Sequence, residues 1–190
     1  MAARVGITKD QVVSAAIKLL NETGKPEQVS MSAVASSLGI RVQSMYAHVN
    51  GSAGMQRELA LFSLYELASR LTEAAIGISG VPAIRAILRA QLDFALEHPG
   101  MFAASIYPPR KDHEVQLAIE QVNFPMVKVL EGTKIEEPNL THWNRLVLST
   151  IYGFAMLHRD GQLTLPVPPQ ASADHLIEVL VKELGMERLS

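Results

Sequence analysis

The chain has 190 residues, no cysteine, and 17 basic against 19 acidic residues, so its formal net charge is −2 at pH 7. The lack of cysteine excludes disulfides, iron–sulfur clusters, and metal sites or nucleophiles that need a thiolate. Hydrophobic residues make up 48% of the chain, which is enough apolar surface for a packed core and argues against extensive disorder. The negative net charge argues at first against nucleic-acid binding, for which a basic surface is the first feature to seek.

Apolar residues recur at helical spacing and no long stretch alternates in the manner of a strand, so we expect an all-α fold. Thr8 is the predicted N-cap of the first helix, and Gln11 completes a capping box. Ile7 and Val12 form a hydrophobic staple around this cap. Gly24 is the predicted end of the helix.

Two short helices are predicted next. Ser30 is the expected N-cap of the second helix, which ends at Gly39. The third runs from about 41 to 49 and stops at Asn50 and Gly51. Two short helices that are joined by a tight glycine-containing turn, behind a longer first helix, are typical of a helix-turn-helix head.

Six further helices are predicted in the rest of the chain. Their approximate bounds are 52–75, 82–97, 101–106, 112–130 with a bend or break at Pro125, 141–159, and a last helix that Ser172 caps and Gly185 stops. The sequence therefore predicts about nine helices in two parts. Residues 1–51 form a three-helix head, and residues 52–190 form a larger helical bundle that begins with the shared fourth helix.

The segment GIRVQSMYAHVNGSAGM, residues 39–55, is the most informative part of the chain for function. Met45 and Val49 are four residues apart and face inward, which leaves a polar face toward solvent. In a recognition helix such a face meets base edges in the major groove, where Gln pairs with adenine and Arg with guanine. The alternative is an ordinary polar helix face, with Tyr46 half-buried as a packing residue.

Three parts of the first sixty residues resemble the TetR family of bacterial transcriptional repressors. They are the capped first helix from Thr8, the string VSMSAVASSLGI in the second helix and turn, and MYAHV in the third helix. FALEHPGMF at 94–102 resembles the family's junction of helices five and six, and IYGFAMLHRDGQL with the terminal helix resembles its dimerisation elements. The resemblance implies a homodimeric repressor on a pseudo-palindromic operator in double-stranded DNA, released by a small apolar ligand bound in the C-terminal domain.

The resemblance also implies that Tyr46 contacts a phosphate. The candidate DNA-binding residues are Thr8, Ser30, Arg41, Val42, Gln43, Ser44, Tyr46, Ala47, His48 and Ser52. Ser52 and Ala53 depart from the family, which usually has Lys and then Glu at the start of the fourth helix. The lysine that would hold a phosphate is therefore missing. Arg41 stands where a Ser or Thr cap is usual, so the third helix is expected to be less well capped.

A ligand pocket in the second domain is implied by the same resemblance, and flexible Met and aromatic side chains suit an adaptable apolar cavity. The candidate lining residues are Phe94, Met101, Phe102, Tyr107, Phe124, Met126, Trp143, Tyr152 and Met156. The alternative for each of them is ordinary core packing, which is the usual role of an apolar residue on an amphipathic helix.

The eighth and ninth helices are apolar over more than one narrow stripe, which favours burial on two sides and hence a dimer interface. The candidate interface residues are Leu146, Ile151, Phe154, Ala155, Leu176, Ile177, Leu180, Val181 and Leu184. The alternative is that all of them belong to an intramolecular core.

No metal site, cofactor or catalytic constellation is predicted. None of the six histidines forms the pair at i and i+4 that zinc sites favour, and no nucleophile motif or glycine-rich phosphate loop is visible. Because no catalytic motif is visible, we do not expect an enzyme. The longest apolar run considered, residues 151–157, is far shorter than the roughly 20 residues of a membrane span, so we expect a cytoplasmic protein that does not associate with a membrane. A second hypothesis is a helical module for small molecules or proteins with weak or lost DNA binding.

The distribution of charge qualifies the net value of −2. The first 60 residues contain six basic and four acidic side chains, a net of +2, and the remainder contains eleven and fifteen, a net of −4. A mildly basic head on an acidic body orients the molecule toward DNA. The small excess predicts binding that relies on dimer geometry and helix contacts more than on charge.

Overall fold

The computed structural model describes residues 6–109, 112–131, 135 and 137–184. These residues form nine α-helices and a short 3₁₀ turn at Pro26–Gln28, with no strand among them, which confirms the all-α prediction. The helices are α1 (Lys9–Thr23), α2 (Met31–Ser37), α3 (Val42–Met45), α4 (Gly51–Ala75), α5 (Gly80–Glu97), α6 (Pro99–Ser105), α7 (His113–Leu130), α8 (Asn139–Arg159) and α9 (Pro169–Glu183).

The predicted caps of the head are confirmed. The Thr8 hydroxyl accepts a hydrogen bond from the Gln11 amide, and the Gln11 side chain accepts one from the Thr8 amide, which completes the capping box. The Ser30 hydroxyl accepts from the Ala33 amide at the start of α2. Gly24 ends α1 in the left-handed conformation, with a φ of 66°, which a glycine adopts without steric cost.

Three sequence predictions need correction or restriction. The helix expected over 41–49 is helical only at Val42–Met45 and continues as a turn, and the Arg41 side chain makes no capping hydrogen bond. Ser172 is not the cap of α9, because the helix already begins at Pro169, whose fixed φ suits the first turn. Helix α7 is one continuous helix with Pro125 inside it. The predicted stop at Gly185 lies outside the described residues.

Helix α4 is the central element that joins head and body, as the sequence predicts. It packs against α1 and α2 in the head and against α5, α6 and α7 in the body. The main hydrophobic core is one cluster that runs from Val12 in the head to Leu184, which directly follows α9. A smaller cluster, including Leu64 of α4 and Val115 of α7, seals the contact between those two helices. Head and body therefore share one core.

None of the described helices is both long enough and apolar enough to cross a membrane.

Candidate nucleic-acid interface and ligand cavity

Two buried side chains fix the orientation of α3 and the turn after it. Met45 is completely buried and Val49 is nearly so, as their spacing predicts. Gln43 and Ser44 precede Met45, Ala47 lies between Met45 and Val49, and all three are exposed. The core contacts of Met45 and Val49 thus hold a short polar surface toward solvent.

Tyr46 is 63% exposed, so the alternative of a half-buried packing residue does not apply to it. Its ring carbon Cε1 lies 3.8 Å from the position that a Cβ of Gly51 would occupy, which places the ring beside the start of α4. Ser52 is exposed in the first turn of α4. Arg41 is also exposed, whereas Val42 and His48 are half-buried. The candidates at 41–52 therefore lie along the chain from α3 to the start of α4.

Thr8 and Ser30 are exposed, but each hydroxyl oxygen already accepts a hydrogen bond from the helix it caps. The Ser30 hydroxyl also lies 3.1 Å from that of Ser32. A hydroxyl can accept a capping bond and still donate its hydrogen, so a phosphate contact from these positions stays a prediction.

Two of the basic residues of the head are held in ion pairs. Lys9 pairs with Glu58 at 2.7 Å, and Arg57 pairs with Asp112 and Glu114 of the body. Arg41 is exposed and forms no ion pair with any residue that the structure describes. The Lys9–Glu58 pair is already counted in the net of +2, whereas the carboxylates that pair with Arg57 lie outside the first 60 residues, so the positive charge available for phosphates is smaller than +2.

Arg57 forms a clamp between α4 and the start of α7. Its Nε and Nη2 atoms donate to the two carboxylate oxygens of Asp112, and Nη2 also donates to Glu114 at 2.7 Å. This pairing lowers the pKa of Asp112 to about 2 and raises that of Arg57. Asp112 also caps α7 by accepting from the Val115 amide. Sequence reasoning missed this clamp because its partners are more than fifty residues apart.

A cavity of about 500 Å³ lies in the body among α4, α5, α6, α7 and α8. This volume is within the roughly 300–1,000 Å³ of sites for small molecules. Most of its lining is apolar: Leu64, Leu67, Leu71, Ile87, Phe102, Ile106, Tyr107, Pro108, Ile119, Val122, Met126, Val147 and Leu148. The remaining lining residues are polar: Gln91, Ser105, Asn123, Asn144 and Arg145.

Three of the nine predicted pocket residues, Phe102, Tyr107 and Met126, line this cavity. The other six do not: Phe94, Met101, Phe124, Trp143, Tyr152 and Met156. Phe94, Met101 and Trp143 are buried in the core, and Met156 packs against it. The Trp143 indole donates to the Leu180 carbonyl at 2.9 Å, which links α8 to α9. Phe124 and Tyr152 are exposed.

The reason for this split is that residue type does not show which side of a helix faces a neighbouring helix. The four polar side chains of Gln91, Asn123, Asn144 and Arg145 were missed for the same reason, since they read as ordinary surface positions.

Most of the predicted dimer residues lie in the chain's own core, which favours the alternative of intramolecular packing at these positions. Ile151, Ala155, Ile177, Leu180, Val181 and Leu184 are buried within a single chain. Their burial is explained by the packing of α8 and α9 on α5 and on each other. Phe154 and Leu176 are half-buried, and Leu146 is exposed. The apolar side chains of α8 and α9 that remain exposed include Leu146, Leu157 and Val179.

No group of three His, Asp or Glu side chains in the described part of the chain is arranged to hold a metal ion.

Residues 84–180, just over half of the chain, match the family model "Tetracyclin repressor-like, C-terminal domain". The chain is 28% identical over 158 residues to the uncharacterized HTH-type transcriptional regulator YobS of Bacillus subtilis, covering 83% of this chain and 82% of that protein. It is 23% identical over 186 residues to the uncharacterized HTH-type transcriptional regulator Rv0681 of Mycobacterium tuberculosis, covering 96% and 83%.

Solved structures show the same fold at lower sequence identity. A tetR-family transcriptional regulator from Streptomyces coelicolor aligns with a TM-score of 0.69 at 19% identity, over 94% of this chain and 83% of its own. A putative TetR family regulator from Vibrio parahaemolyticus aligns with a TM-score of 0.64 at 16% identity, over 92% and 97%.

The helix-turn-helix head on an all-helical body, together with these relatives, defines a transcriptional regulator rather than an enzyme. The chain belongs to the TetR family, as the sequence motifs indicate.

Proposed function

We propose that the protein is a homodimeric repressor that leaves a pseudo-palindromic operator when a small ligand fills the body cavity. The observation that carries this proposal is the course of α4. Leu64, Leu67 and Leu71 of this helix line the cavity, and its first residue, Gly51, lies against the exposed ring of Tyr46. A ligand that shifts α4 therefore shifts the proposed DNA surface.

The residues from the start of α3 to the start of α4 have the chemistry that reading of the major groove requires. Gln43 and Ser44 are exposed on the helix and can reach base edges, where a Gln amide pairs with adenine. The Tyr46 hydroxyl and the His48 imidazole can donate to phosphate oxygens, which sets the register of the protein on the duplex. Arg41 supplies a charge at the start of α3.

A second route from the cavity to the head runs through the Arg57 clamp. Residues 106–108 line the cavity, and Asp112, four positions further along the sequence, holds Arg57 on α4. Displacement of residues 106–108 by a ligand therefore acts close in sequence to the carboxylate that fixes the early part of α4. The cavity thus has both a direct and an indirect connection to the head.

The exposed side of α8 offers a dimer surface. Leu146 and Leu157 are eleven residues apart, which is three helical turns, so they lie on one face, and both are exposed. Val179 is exposed on the neighbouring α9. A two-fold contact through this face presents two heads to half-sites about 34–36 Å apart.

A second candidate function is a ligand-binding module with weak DNA binding. It is favoured by the ion pairs that occupy Lys9 and Arg57 and by Ser52 at the position where the family usually has lysine. Loss of phosphate contacts lowers the sequence-independent part of the affinity for DNA.

The two candidates are separated by titrating the purified protein with labelled fragments of the DNA that flanks its own gene, at fixed salt. A repressor of this kind binds one fragment far more tightly than unrelated DNA and protects two symmetric half-sites from cleavage. Equal and weak binding to every fragment supports the second candidate.

A further inference from the structure

The cavity changes in polarity from its floor to its mouth. Leu67, Ile87 and Phe102 on α4, α5 and α6 are buried and form an apolar floor. Asn123 on α7 and Asn144 and Arg145 on α8 line the same cavity and are exposed. A molecule that fills the cavity therefore meets apolar side chains at its inner end and amides and a guanidinium at its outer end.

Among the described lining residues Arg145 is the one cationic side chain, and none of them is Asp or Glu. It forms no ion pair with any residue that the structure describes, unlike Arg57, Arg70 and Arg89, which are all paired with carboxylates. The side chains of Asn123 and Asn144 likewise make no hydrogen bond within the described ranges. Within the part of the chain that the structure describes, the mouth thus presents donors and one positive charge that no side chain pairs with.

We propose that the ligand of this cavity is an amphipathic monoanion, an aliphatic or aryl body that ends in a single carboxylate. The inference rests on the proposed function only in taking the cavity as the ligand site. The apolar body occupies the floor between α4 and α6, where each buried methylene group stabilises the complex. The carboxylate stays at the mouth, where Arg145 and the two amides bind it while water still reaches it.

Other ligand classes fit the lining less well. An amphipathic cation places its charge beside Arg145, with no carboxylate among the described lining residues to offset the repulsion. A polyanion meets a single guanidinium among these residues and loses its hydration against the leucines of the floor. A neutral alcohol fills the floor equally well but gains no ionic partner at the mouth.

The experiment compares decanoate, decanol and decylamine by calorimetric titration of the purified wild-type protein, with each probe kept below its solubility limit and below any micelle concentration. We expect decanoate to bind up to about fivefold more tightly than decanol, the upper effect of one exposed ion pair, and decylamine to bind most weakly. Arg145→Gln removes this preference and Arg145→Lys keeps most of it. Lys128→Gln is the matched control, because it removes the same charge from α7 outside the lining, where Lys128 is paired with Glu131.

Met126→Trp tests the location, since the larger ring fills the cavity beside α7 and weakens all three ligands if they bind there. Circular dichroism establishes that each variant is folded. Equal affinities for decanoate and decanol, a preference that survives Arg145→Gln, or no binding of any probe overturns the proposal. Release of the operator is measured separately. If decanoate binds tightly but the protein stays on the DNA, the repressor mechanism is contradicted and the ligand class is not. If decanol releases the DNA as strongly as decanoate does, the ligand class is contradicted and the repressor mechanism is not.

Discussion

Gly100 of α6 lies so close to the main chain of Leu20 in α1 that a Cβ at position 100 would stand 2.6 Å from the Leu20 carbonyl oxygen. Only a glycine leaves room for this contact between the head and the body. Helix α6 also contributes Phe102 and Ser105 to the cavity lining. The contact therefore joins the cavity wall to the first helix of the head.

Replacement of this glycine is the first test. Gly100→Ala forces α1 and α6 apart, because a backbone carbonyl cannot move aside as a flexible side chain can, and we expect a loss of roughly 1–3 kcal/mol in the free energy of unfolding. Chemical denaturation measures it. Gly153→Ala on α8 is the matched control: its Cβ meets nothing within 4 Å, and alanine favours a helix, so stability should be kept or rise by up to about 1 kcal/mol. Equal effects of the two substitutions contradict the close contact.

The Arg57 clamp predicts a dependence on pH. The folded-state pKa of Asp112, about 2, is below its unfolded value of about 3.9, so the clamp's contribution is complete above that value and is lost as the pH falls toward 2. Asp112→Asn removes the charge but retains a capping side chain. We expect its melting temperature to be below that of the wild type at pH 7, with the difference vanishing near pH 2. Glu22→Gln, an exposed substitution on α1, should show no such convergence.

The proposed recognition surface predicts a loss of specific binding without a loss of fold. Gln43→Ala should reduce the affinity for a specific site by about 1–3 kcal/mol, the range for a side chain that pairs with a base. Tyr46→Phe should weaken specific and non-specific DNA alike, because the hydroxyl is assigned to a phosphate. Fluorescence anisotropy measures both.

Matched controls for these variants lie on the body. Tyr65→Phe on α4 and Gln121→Ala on α7 change exposed side chains of the same type, and both should bind DNA as the wild type does. Wild-type affinity in both head variants would show that α3 is not the recognition helix.

The proposed dimer surface predicts that a charge on the outer face of α8 dissociates the protein. Leu157→Glu introduces a carboxylate on that face, where the contact between two copies would remove it from water, and we expect a monomer by sedimentation velocity. Leu165→Glu is the control, because Leu165 is 81% exposed on the connector between α8 and α9. A dimer that persists in Leu157→Glu places the interface elsewhere.

Signals that lie within one stretch of sequence predicted the head well. The caps at Thr8 and Ser30 and the inward spacing of Met45 and Val49 each depend on residues three or four positions apart, and all of them are present in the structure. The Ser172 cap failed because a stronger local signal, Pro169, begins the helix one turn earlier.

Features that depend on packing between distant segments could not be predicted in this way. The pairing of Arg57 with Asp112, the approach of Gly100 to Leu20 and the polar mouth of the cavity each join residues from separate helices. The burial of Ile151 and Ile177 within a single chain could not be predicted for a related reason. A wide apolar face indicates burial on two sides, but it does not distinguish a second helix of the same chain from a partner.

The most direct test of the proposed function is to let the purified wild-type protein select fragments from a random DNA library. The selected fragments are sequenced, and the number of protein chains bound per fragment is measured. The account predicts an enriched sequence with two inverted half-sites, bound by two copies of the chain, which Gln43→Ala does not enrich. A library that remains unenriched after repeated rounds at low salt, or an enriched site without two-fold symmetry, would contradict it.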